Sequence, residues 1–219
     1  MRKTALLAVS LLLCVLLSVS ALAQGTGRAF KIFVAPEVSW AVSPEAATDY
    51  YTMGFGISGG IEYPVGPNWD IIGMINYKTY SPNESMIADW WDDEGEYPGS
   101  TNISVSEGSL TAVTIAFQGK GSLKSPASKT WPYIKGGFGL SFAGADEIKV
   151  NFTNSVGDPQ TAWPGGADND TNISILIGIG LEMASSGPLS FFGEVGYEVL
   201  MLEEGNNPGL VPVRVGILF

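Results

Sequence analysis

Histidine is absent from this 219-residue chain, and Cys14 is its only cysteine. Without an imidazole no Ser-His-acid or Asp-His arrangement can be assembled, which removes the commonest general base. Cys14 lies in an apolar N-terminal run expected to be cut away, so neither a disulfide framework nor a thiolate metal site is open to the rest. Lysine and arginine number 11 against 22 aspartates and glutamates, a net charge of -11. Phosphate binding needs clustered bases, so a nucleic-acid partner is disfavoured. Charged residues make up only 15% of the chain, below the ~25% of a typical soluble domain. Mean hydropathy is positive at +0.19, yet no second long apolar run follows residue 19. Membrane-like composition without a hydrophobic helix points to alternating strands.

The N-terminus is built for export. Arg2 and Lys3 precede an almost unbroken apolar run from Ala5 to Val19, and Ala21-Leu22-Ala23 offers small residues for cleavage. The run falls short of the ~20 residues that span a bilayer. Residues 1–23 are therefore expected to be a signal peptide, and residues 24–219 one mature domain.

Eight segments of the mature chain alternate. In the clearest, Ile173, Ile175, Ile177, Ile179, Leu181 and Met183 face one way, and Ser174, Gly178, Gly180 and Glu182 face the other. The same period of two runs through 29–40, 53–65, 68–80, 110–119, 131–143, 189–201 and 211–219. A period of two places one set of side chains on each face of a strand. The second faces are mostly Gly, Ser and Ala with isolated charges, too small and too sparsely charged for a solvated surface. They suit the interior of a narrow barrel, where few large side chains fit. The expected fold is all-β: an eight-stranded antiparallel up-and-down transmembrane β-barrel, inside-out relative to a soluble domain.

Connection lengths alternate accordingly. Gly66-Pro67 and 185–188 read as tight turns, and 120–130 as a modest basic connection carrying Lys120, Lys124 and Lys129. The connections at 41–52, 82–102, 144–172 and 203–209 are longer. Short periplasmic turns opposite longer external loops are the rule for this architecture, which places both termini in the periplasm. Fifteen of the 22 acidic residues fall in the long connections, where Lys149 is the only base. Carboxylate pairs can in principle serve glycoside chemistry, but in open acidic loops they are far more often solvated charge. No catalytic residue, metal site or cofactor is assigned.

Two constellations remain. Asp89-Trp90-Trp91-Asp92-Asp93-Glu94-Gly95-Glu96-Tyr97 combines contact-prone aromatics with acids. Trp90, Trp91 and Tyr97 could anchor a partner, or lie at the membrane interface or barrel mouth. Its spacing does not match an EF-hand calcium loop. The other constellation is the set of charges expected to point into the lumen: Lys31, Glu37, Glu62, Lys78, Lys135, Glu182, Glu194, Glu198 and Arg214. An unpaired charge in a narrow interior costs several kcal/mol, so these should pair into a plug rather than line an open pore. Alternation and antiparallel register put Arg214 opposite Glu194, with Glu198 or Glu37 as further partners.

The last nine residues set Val211, Val213, Val215, Ile217 and Phe219 on one face against Pro212, Arg214, Gly216 and Leu218. With the signal peptide, the eight segments and the loop asymmetry, this ending resembles the small bacterial outer-membrane β-barrels that include the OmpA transmembrane domain, OmpX and the opacity-type proteins. The resemblance implies a non-enzymatic envelope protein of the outer membrane, expected to be a monomer, in contact with membrane lipid and lipopolysaccharide. It also implies that the barrel-assembly machinery reads Val215, Ile217 and Phe219. The cell-wall-binding domain of full-length OmpA relatives is not expected. A competing reading is a small channel or a conduit for apolar solutes, as in OmpW-like barrels. Replacing both Ile217 and Phe219 by Asp should abolish assembly rather than trim stability. Normal outer-membrane levels of that double variant on immunoblots would show an ordinary strand instead.

Overall fold

The computed structural model describes residues 30–43, 51–93, 100–124, 128–163, 168–185, 188–201 and 207–219. The expected signal peptide and Tyr97 lie outside them. The described residues form strands β1 (Lys31–Ser43), β2 (Tyr51–Pro64) and β3 (Trp69–Pro82), then helix α1 (Glu84–Asp93). There follow β4 (Thr101–Glu107), β5 (Leu110–Ser122), β6 (Thr130–Ala145), β7 (Ile148–Thr153) and β8 (Pro159–Ala162). The chain ends with β9 (Asp168–Ala184), β10 (Ser190–Met201) and β11 (Gly209–Leu218).

Eight of these strands close into a barrel in the order β1-β11-β10-β9-β6-β5-β3-β2, with every neighbouring pair antiparallel. The closing seam joins β1 to β11, pairing Phe33 with Leu218, Glu37 with Arg214 and Trp40 with Val211. Phe219 extends the seam: its N–H donates to the Ile32 carbonyl at 2.9 Å, and its carbonyl accepts from the Ile32 N–H at 2.8 Å. No sheet edge is left open in the barrel, which is the condition for a β-structure in hydrocarbon.

The burial pattern is inside-out. On β9 the six apolar residues from Ile173 to Met183 are 47% to 65% exposed, whereas Ser174 and Glu182 are fully buried. The exposed belt continues through Phe55, Ile57, Ile71, Phe117, Ile134, Phe138 and Val215. Tyr63, Trp69 and Phe219 stand at the end with the short connections, and Trp40 stands toward the other end. Barrel strands run from 10 residues in β11 to 17 in β9, enough for the ~9–11 that cross a bilayer at a tilt.

Glycine matters most where β5 meets β6. Gly137 faces inward, and a Cβ there would collide with the Phe117 carbonyl oxygen and the Gln118 Cα. Backbone, not a flexible side chain, is what it would strike.

The long connections depart from their expected loop character in two places. Residues 82–102, expected to be loop, hold α1 and the start of β4, and residues 144–172 hold β7, β8 and the beginning of β9. Asn83 starts the helix, its Oδ1 accepting from the Met86 N–H at 3.5 Å and the Ser85 hydroxyl at 3.1 Å. An Asn cap satisfies otherwise orphaned helical N–H groups. β4, β7 and β8 form a separate three-stranded sheet around a small core of Ile87, Val105, Ile148, Val150 and Phe152. Its strands are only 7, 6 and 4 residues long, short of the ~9–11 that mark a membrane-crossing strand. The connection expected at 120–130 is shorter as well, because β5 runs on to Ser122.

Gly137→Val should destabilise the barrel by about 1–3 kcal/mol, the usual cost of overpacking, and lower the folded fraction on unheated gels. Wild-type unfolding midpoints in urea would show that β5 and β6 do not approach this closely.

Candidate functional site

Each of the nine charges expected in the lumen falls on the small-residue face of its strand. The side chains of eight of them are at most 6% exposed, and Lys31 alone keeps its side chain 37% exposed. Strand pairing then sets their heights. Arg214 is opposite Glu194 on one side and Glu37 on the other, and it bonds both. Its Nη1 donates to Glu194 at 2.8 Å, and its Nε donates to Glu37. Glu198 pairs with Lys78 instead.

The ion pairs link into two chains of alternating sign. One runs Lys135–Glu194–Arg214–Glu37–Lys78–Glu198, with Lys135 to Glu194 at 2.6 Å and Lys78 to Glu37 at 3.3 Å. The other runs Lys31–Glu182–Lys120–Glu62, at 2.7, 2.6 and 2.8 Å. Tyr133 bridges them: its hydroxyl donates to Glu194 at 2.8 Å, and the Lys120 ammonium sits 4.6 Å from its ring centroid. Alternation matters physically, since an interior ion repays its desolvation only when flanked by opposite charge and further hydrogen bonds. Asn76 supplies such a bond, donating to Glu37 at 2.5 Å. The two chains contain five acids and five bases.

Lys120 is a correction to the sequence reading, which put it in a basic connection. Gln118, Lys120 and Ser122 continue the inward alternation of β5 past Gly119, and all three are buried. That two-residue continuation was the signal available. Asp70, buried at the short-connection end, is paired with Lys124 at 3.0 Å. Tyr133 was not singled out, although its spacing of two from Lys135 already put it on the inward face of β6.

Apolar side chains occupy the rest of the interior. Phe33, Ile72, Met74, Leu176, Phe192 and Leu218 cluster there, with the Phe33 and Phe192 rings edge to face at 5.9 Å. A cavity of about 20 Å³ separates this layer from Glu62, Lys120, Lys135 and Glu194, room for about one water. Toward the long connections Tyr80, Leu200 and Leu210 form another layer, and the Tyr80 and Ser39 hydroxyls are 2.5 Å apart. A broader apolar groove of about 840 Å³, along Trp69, Ile134, Leu181, Val195 and Val215, belongs to the outward belt.

Val215, Ile217 and Phe219 share the outward face of the closing seam and are 39% to 64% exposed. Trp90 and Trp91 lie on α1, but their side chains, like Tyr97, lie outside the described residues. Among the described residues, no group of three or more acidic, His or Cys side chains is placed to hold a metal ion.

A closed, inside-out antiparallel barrel of eight strands is the architecture of small outer-membrane β-barrels. Neisserial surface protein A (NspA) superposes with a TM-score of 0.54 at 12% identity, covering 88% of this chain and 98% of that one. The Yersinia pestis attachment invasion locus protein Ail gives 0.45 at 15% identity over 87% and 97%. The N-terminal barrel of Pseudomonas aeruginosa OprF gives 0.44 at 12% over 86% and 97%. What the chain shares with NspA is the fold. No protein-family model and no curated protein matches the sequence.

Arg214→Ala leaves Glu37 and Glu194 with one cation each, Lys78 and Lys135. The expected destabilisation is about 3 kcal/mol, the lower part of the range for removing one partner of a buried pair. Lys31→Ala, at a half-open site, should cost less than about 1 kcal/mol. Equilibrium urea unfolding in lipid vesicles reads both. Equal, small effects would mean that the lumen is hydrated.

Proposed function

We propose that this chain is a non-enzymatic integral protein of the bacterial outer membrane, with a lumen closed to solutes and a working surface at the long-connection end. The observation that carries the reading is the inversion of burial: ionic and hydroxyl side chains inside, a continuous apolar belt outside. In water such a belt would cost about 25 cal/mol for every Å² exposed; in lipid it costs nothing. The short-connection end and both termini face the periplasm, following the loop rule of this architecture. Residues 1–23 direct export, and Val215, Ile217 and Phe219 address the assembly machinery. Membrane lipid and lipopolysaccharide then contact the belt and the outer rim.

Three features support a closed lumen. Its charges balance within two chains, its apolar clusters lie along the same axis, and the cavity between them has room for about one water. Opening a pore would require breaking several buried pairs at several kcal/mol each. The long-connection end differs in charge. Among its described residues, Glu84, Asp89, Glu107, Asp146, Glu147, Asp158 and Asp170 stand against Lys149. This surface is where the protein meets other molecules, on the reading that the loops of a plugged barrel carry its function.

Two measurements on purified protein test the proposal. Mobility on SDS gels should change on boiling, since a closed barrel resists detergent until heated. Planar-bilayer recordings should show little conductance. Recovery from the soluble periplasm without a mobility shift would defeat the membrane reading, and a steady, large conductance would favour the channel.

A further inference from the structure

The sheet of β4, β7 and β8 has two unlike faces. Val105, Val150 and Phe152 on one face are buried with Ile87 of α1. The other carries Ser104 and Ser106 from β4, Lys149, Asn151 and Thr153 from β7, and Thr161 from β8, as the pairings Ser104–Asn151, Ser106–Lys149 and Asn151–Thr161 require. These polar side chains are joined across all three strands. The Thr161 hydroxyl donates to Asn151 Oδ1 at 2.9 Å, and Asn151 Nδ2 donates to Ser106 Oγ at 3.3 Å. Asn102 Nδ2 donates to the Thr153 hydroxyl at 3.4 Å at one end. Trp163, two residues beyond Thr161, is 57% exposed.

The bonds within the row orient its groups without exhausting them. Asn151 retains one amide hydrogen and an acceptor lone pair, and Ser106 retains its own O–H to donate. A row held in this way loses little side-chain entropy when a ligand arrives. Charge narrows the choice of ligand. None of the strand residues on this face is acidic, in the middle of an end rich in carboxylates. A basic peptide would be drawn to that surround rather than to this row, and a sulfated or sialylated ligand would be repelled by it. Protein partners are gripped chiefly by clustered aromatic and arginine anchors; none of the strand residues on this face is either, and Trp163 follows directly after β8. What remains is a neutral molecule with many hydroxyls and an apolar C–H face.

We propose that this face binds a neutral oligosaccharide, whose hydroxyls exchange hydrogen bonds with Ser104, Ser106, Asn151 and Thr161 and one of whose rings stacks on Trp163. The inference rests on the reading of the long-connection end as a contact surface, and gives that surface a ligand class. Its test uses the whole mature barrel in nanodiscs over a panel of immobilised neutral gluco-, galacto-, manno- and chito-oligosaccharides, beside sulfated and sialylated ones. Binding to at least one neutral oligosaccharide is expected, with little dependence on salt. Trp163→Ala and Asn151→Ala should each weaken it about tenfold. Lys149→Gln should leave it unchanged, because a neutral ligand offers no counter-charge. Each variant should keep the wild-type gel shift on boiling, which separates lost binding from lost folding. Binding to no neutral member, binding confined to the anionic ones, or full binding by both the Trp163 and Asn151 variants overturns the proposal. A barrel that shifts on boiling and does not conduct, yet binds no neutral sugar, overturns this inference and leaves the envelope reading standing.

Discussion

The hydrogen bonds across the β1–β11 seam are the interactions on which the rest depends. A peptide group in hydrocarbon has no water to turn to, so a sheet can live there only if its first and last strands find each other. Glu37 beside Arg214, and Phe219 beside Ile32, belong to that seam. Once it closes, every inward side chain is committed to a narrow tube. Eight strands leave a lumen that side chains fill, which is why the inner faces alternate glycine and serine with a few long residues.

Closure also explains why the lumen charges are arranged as they are. Circular pairing brings together residues far apart in sequence: Lys31 meets Glu182, Lys120 meets Glu62 and Arg214 meets Glu37. Arg214 joins partners on the two adjacent strands, and the other pairs reach past neighbouring strands, so the two chains tie the barrel wall together from inside. Replacing both partners of a buried pair by matched apolar side chains is often neutral for stability. The ionic solution instead favours one register, since a slip by one residue turns every inward charge toward lipid.

The long-connection end follows a different logic. Its small sheet and helix have their own apolar core, separate from the lumen, and so hold shape above the barrel mouth. That leaves the strand residues of the outer sheet face free of packing duty. Their hydrogen bonds run side chain to side chain across the strands, an arrangement that fixes a polar surface in place.

Alternation along the chain was enough to determine the eight barrel strands and their two unlike faces, because a strand's period of two is a local property. The opposition of Arg214 and Glu194 was also readable, since each lies five residues from the short-connection end of its alternating segment and the two strands are antiparallel neighbours. The Arg214–Glu37 contact depends on how the last strand meets the first, and only the closed barrel decides it. Lys120 was misplaced because a strand's end is set by its partner, here β6, rather than by its own composition. The outer sheet escaped sequence reading for a related reason: β4 and β7 come from different connections, and neither has an apolar face worth burying until the other supplies its counterpart.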